Sequence, residues 1–86
     1  MSASFCHVIE LALTRRKFPD RQAWSELIAR LPLLGTVKCI EIAIAPEGGG
    51  RLSFVVHDAL FPSSMRQSLC GLVGEEAIVN CTPRPV

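Results

Sequence analysis

The chain has 86 residues, of which 49% are hydrophobic and 20% charged, with a formal net charge of +1 and a pI near 7.7. That length holds one domain, residues 1–86, and a domain so small buries only about 60% of its unfolded surface, so a mean hydropathy of +0.34 implies a dense core or leftover apolar surface. The near-neutral charge gives no general field for nucleic acid or an anionic membrane, and no apolar run approaches the roughly 18 residues of a membrane-spanning helix.

Ser4 to Thr14 alternates with period two, which predicts a strand. Phe5, His7, Ile9, Leu11 and Leu13 take the face toward the helices; Cys6, Val8, Glu10, Ala12 and Thr14 take the other. No role is assigned to His7, a lone histidine in an apolar run. Arg15-Arg16-Lys17-Phe18-Pro19 forms the exit loop. Asp20 is suited to cap a helix running to Leu31, whose buried stripe is Trp24, Leu27, Ile28 and Leu31. Pro32 stops that helix and Gly35 releases the chain.

Thr36 to Ala45 alternates again, with Lys38, Ile40, Ile42 and Ile44 expected against the helices and Val37, Cys39, Glu41, Ala43 and Ala45 outward. Glu47-Gly48-Gly49-Gly50 reads as a hairpin turn with a flexible tip. Arg51 to Asp58 follows, with Leu52, Phe54 and Val56 inward and Ser53, Val55 and His57 outward. A turn near Gly48 pairs Cys39 with His57 and Glu41 with Val55. Pro62-Ser63-Ser64 opens a second helix, capped by a serine and buried through Met65, Leu69, Leu72 and Val73. Glu76 to Thr82 is the last extended run, its edge strand at Ala77 to Cys81, and Pro83 and Pro85 are expected to end its pairing.

The order β-α-β-β-α-β is ferredoxin-like. The expected class is α+β, with a four-stranded antiparallel sheet in the order 4-1-3-2 and two helices on one face. The alternative is an α/β sandwich whose last strand is unpaired or swapped into a neighbour.

Cys6, Cys39, Cys70 and Cys81 are widely spaced, with no CxxC motif and no Cys/His cluster, so free thiols are expected, with no structural metal and no cofactor. Neighbouring first and last strands would bring Cys6 near Cys81 without a bond. The first residues lack the cationic start of a secretory signal and carry Glu10 in their apolar run, so a cytoplasmic location is expected.

Two surfaces are candidates for function. The open sheet face carries Val8, Glu10, Cys39, Glu41, Val55 and His57, a mixed and rather apolar set suited to a partner or to a second copy. Arg15, Arg16, Lys17, Arg21 and Arg30 form a basic patch suited to an acidic protein surface. RNA-binding domains of this architecture stack bases on sheet-face aromatics. That face has none here, so nucleic acid is not expected. Cys39, His57 and a carboxylate could form a nucleophile set. No oxyanion hole or nucleophile turn accompanies them, so no catalytic residue is expected.

The expected function is a small non-catalytic binding protein acting by protein–protein contact. In size and general character the chain resembles phage or mobile-element inhibitors of host defence complexes, such as anti-CRISPR proteins. The alternatives are a dimeric ligand-sensing or regulatory module and, as a minor case, a small Cys/His enzyme.

Overall fold

The computed structural model describes residues 5–85. Ser4, the predicted start of the first strand, lies outside them, as do the side-chain direction of Phe5 and the final Val86. The elements are β1 (Phe5–Leu13), α1 (Arg21–Arg30), β2 (Thr36–Ile44), β3 (Gly50–His57), α2 (Met65–Val73) and β4 (Ile78–Pro85), with single 3₁₀ turns at Leu31–Leu33, Pro62–Ser64 and Glu75–Ala77. All pairings are antiparallel, in the order β2-β3-β1-β4, which is the expected 4-1-3-2 read from the opposite edge.

The core lies on one side of the sheet. Ile9, Leu11 and Leu13 of β1 and Leu52, Phe54 and Val56 of β3 are buried there with Trp24 and Leu27 of α1 and Met65, Leu69 and Val73 of α2. One face of the sheet thus serves both helices. Phe18, in the loop after β1, closes this core edge-to-face on Trp24, ring centroids 6.3 Å apart. His7 is buried on the same side.

The start of α1 follows its sequence: Asp20 accepts a hydrogen bond from the Ala23 N–H at 3.0 Å. At Pro32 the chain tightens into a 3₁₀ turn, and Leu31 stays buried. The serine cap expected for α2 does not form. Ser64 is at the N-cap but makes no side-chain bond to the helix, because the preceding 3₁₀ turn leads the chain into it.

Strand β2 departs furthest from expectation. Its register against β3 shifts between Lys38 and Glu41, and Cys39 there has a φ of 57°. Lys38 pairs with Val55 and Glu41 with Ser53, leaving Cys39 and Ile40 opposite Phe54. This is a β-bulge, and it resolves a conflict in the sequence. Val37 lies opposite core residue Val56, and Ile42 lies opposite core residue Leu52. Residues of opposite parity reach the same face only if one extra residue sits between them. Lys38 therefore points to the open face, not inward. The predicted pairings Cys39 with His57 and Glu41 with Val55 do not occur; Thr36 faces His57 and Lys38 faces Val55.

The isoleucines lie on the helix side but are not covered. Ile40, Ile42 and Ile44 are 43%, 45% and 46% exposed, because β2 is the sheet edge and the helices do not extend over it.

Three further expectations are corrected. The glycine turn is not a flexible tip: the Gly49 N–H donates to the Phe18 carbonyl at 2.8 Å, docking the hairpin against the β1–α1 loop. Strand β4 does not stop at Cys81. Pro83 and Pro85 stay in the ladder opposite His7 and Phe5. Cys6 and Cys81 are not neighbours either; Cys6 pairs with Arg84 and Cys81 with Ile9, so they lie on opposite sheet faces. All four cysteines are free.

Candidate interaction surfaces

Residues directly opposite in a ladder share a face, so the registers lay out the open side row by row. The first row runs Arg84, Cys6, His57, Thr36; the second Thr82, Val8, Val55, Lys38; the third Asn80, Glu10, Ser53, Glu41. A fourth holds Ala12, Arg51 and Ala43. Its apolar part is thus narrower than the sequence suggested: the two valines are flanked by polar rows. Val8, Glu10, Cys39, Glu41 and Val55 line one shallow hollow of about 200 Å³. The sixth predicted residue, His57, lies one row away. It is opposite Cys6, not Cys39: the hairpin is centred on Glu47, with Ala45 bonded to Gly49, so Cys39 falls beside Phe54 and the expected thiol–imidazole pair does not form.

The five predicted basic residues are all exposed but divide into two groups. Arg15 and Arg21 both flank Gly48: a Cβ at Gly48 would stand 3.1 Å from the Arg15 Cβ, and Arg21 shares a hollow with Gly48. Arg16 follows Arg15 in the same loop. Lys17 and Arg30 instead border a hollow with Glu26 and Leu72. The Lys17 ammonium binds the Glu76 carboxylate at 3.1 Å. The carboxyl of Glu76 is held below the usual range, first by its own backbone hydrogen bond and then by Lys17. No ion pair ties down Arg15, Arg16 or Arg21 among the described residues.

The sequence reading missed a third surface. Leu33, Leu60 and Phe61 are 63%, 61% and 60% exposed. The Leu60 N–H donates to the Leu34 carbonyl at 3.0 Å, so the loop before β2 and the loop after β3 come out together. The signal was Leu33 beyond the helix-stopping Pro32 and the Leu60-Phe61 pair before Pro62, where no periodicity explains large apolar residues. The arginines and this apolar cluster stand at opposite ends of the β2–β3 ribbon, joined along its edge by Ile40, Ile42 and Ile44.

Among the described residues, no His, Cys, Asp and Glu side chains gather in a group of three or more able to hold a metal ion, and no helix is long and apolar enough to cross a membrane. Compared with protein-family models, with curated proteins and with solved structures, the chain matches none significantly.

Proposed function

We propose that this chain is a non-catalytic binding protein that works by covering a surface of another protein. The observation that carries this reading is the loop cluster of Leu33, Leu60 and Phe61, three large apolar side chains more than half exposed in a domain whose remaining hydrophobes mostly fill one core. Aromatic and leucine anchors of this kind supply the buried centre of protein contacts. Arg15, Arg16 and Arg21 at the other end, in no ion pair among the described residues, set the partner's chemistry: an acidic protein surface, met by charge-assisted hydrogen bonds. A blocking protein of the mobile-element kind is one form such a binder takes.

Affinity capture from the native host, followed by titration of the captured protein, tests the reading. Replacing Leu60 and Phe61 with serine, or reversing Arg15, Arg16 and Arg21 to glutamate, is expected to abolish capture while leaving the melting temperature nearly unchanged, since all five side chains are exposed. Equal binding by both variants overturns it.

A further inference from the structure

The two edges of the sheet are built differently. The Ala45 N–H donates to the Gly49 carbonyl at 3.0 Å, which makes Ala45 a hydrogen-bonding position toward β3. Ladder bonds alternate along an antiparallel strand. Counted from Ala45, the backbone groups of Ala43 and Glu41 face β3, and those of Ile40, Ile42 and Ile44 face away from the sheet. Carried across the registers, the same alternation turns the backbone nitrogens of Pro83 and Pro85 outward on β4. Proline has no N–H, so the β4 edge offers a further strand little to bond. The β2 edge keeps its donors and acceptors, beneath a half-exposed isoleucine stripe.

We propose that two copies of this chain pair β2 to β2, antiparallel about a twofold axis at Ile42, forming one continuous sheet. In that register Ile42 bonds its own counterpart and Ile40 bonds Ile44 of the second copy, so each outward N–H and C=O from Ile40 to Ile44 finds a partner. The twofold axis is perpendicular to the sheet, so the helices of both copies stay on one side and the isoleucines of both strands form one apolar row. The Cys39 bulge and Pro46 end the pairing on either side.

Charge complementarity favours a second copy over an arbitrary strand. On the open face Arg51 lies opposite Ala43. The register sets Glu41 of the second copy on the far side of Ala43, two strand spacings or about 9–10 Å from Arg51. The small alanine between them lets the guanidinium reach that carboxylate, and the twofold axis repeats the pair. Within one chain neither Arg51 nor Glu41 makes an ion pair among the described residues. The contact is narrow beside the roughly 1,600 Å² of a standard interface, so the dimer dissociates on dilution. It uses a different surface from the partner-binding ends and stands or falls separately from them.

Sedimentation velocity of the full chain over a dilution series tests the pairing. The wild type is expected to pass from monomer to dimer as concentration rises. Ile42→Lys places two like charges on the axis and is expected to remain monomeric, with an unchanged circular dichroism spectrum. Glu41→Arg and Arg51→Glu are each expected to weaken association roughly tenfold, because two attractions become two repulsions, and the double reversal to restore it. Val8→Lys, on the open face, is expected to leave the dimer intact. A wild type that stays monomeric at its solubility limit overturns the proposal, even if the edge then accepts a foreign strand. So does a dimer that survives Ile42→Lys, one that Val8→Lys abolishes, or a double reversal that fails to recover. If Ile42→Lys does not fold, the charge-swap series decides.

Discussion

A Cβ added at Gly49 would stand 2.5 Å from the Leu13 carbonyl oxygen and 2.7 Å from the Arg15 nitrogen, at a φ of +72°. Backbone atoms cannot move aside as a side-chain tip can, so Gly49→Ala is expected to cost more than about 2 kcal/mol in chemical denaturation. Gly71 is the opposite case. It lies inside α2, and an added Cβ there meets nothing within 4 Å. Gly71→Ala is expected to gain about 0.5–1 kcal/mol in the same experiment, from helix propensity and a less free unfolded chain. Residue-scale features with a local cause were legible in the sequence, as the Asp20 cap shows; Ser64 was not, because a 3₁₀ turn upstream decides how the chain enters α2. The thiols separate for reasons of burial. Cys39 is exposed, whereas Cys81 faces the core and burial pushes its pKa up, an effect that the charge of Arg66 only partly offsets. Less thiolate forms at Cys81 at a given pH, so alkylation mapped by mass spectrometry is expected to label Cys39 first and Cys81 only at more alkaline pH.

At the scale of elements, the order and pairing of strands and helices followed from period alone, whereas the register of β2 did not. The information was present. Val37 and Ile40 are three residues apart, and both carry apolar side chains suited to the helix face, which an unbroken period of two cannot satisfy. Ile78 and Cys81 of β4 repeat that spacing, and the ladder shifts there too, leaving Val79 exposed. A strict alternation imposed from Lys38 onward hides both signals. Coverage of the isoleucines was a different matter: no local pattern states how far a helix extends over an edge strand. If the bulge reconciles two phases of one strand, deleting Cys39 should leave Val37, Ile40, Ile42 and Ile44 on one face in a regular ladder. The variant is expected to keep its fold by circular dichroism. It should aggregate more readily in light scattering, since a straight apolar edge has lost the distortion that discourages further pairing. A loss of secondary structure would show that the extra residue is needed for more than register.

At the scale of the molecule, the backbone ladder of β1 and β4 holds the two ends of the chain together, and among the described residues few side-chain polar contacts add to it; the best defined of these is also titratable. Lys17, in the loop between β1 and α1, meets Glu76, in the turn between α2 and β4, across 59 residues of sequence. Folding lowers the pKa of Glu76, through its own backbone hydrogen bond and then through Lys17. A carboxyl that releases its proton more easily when folded binds fewer protons in the native state than in the unfolded one. Its contribution to stability is therefore present above the ordinary carboxylate pKa and disappears as pH falls through the lowered native value. Glu76→Gln keeps the shape and removes the charge, so it should melt slightly below the wild type at neutral pH. The gap should close as the pH falls from the ordinary carboxylate range through that lowered native value, where the wild-type carboxyl also becomes neutral. Both side chains are more than half exposed, so the gap is expected to be small and to shrink further in high salt. Lys17→Met should reproduce only part of the neutral-pH loss, because the backbone hydrogen bond of Glu76 survives in it. A gap that persisted into acid would mean that the amide disturbs the turn itself, and that the Lys17 pair contributes little to holding the two loops together.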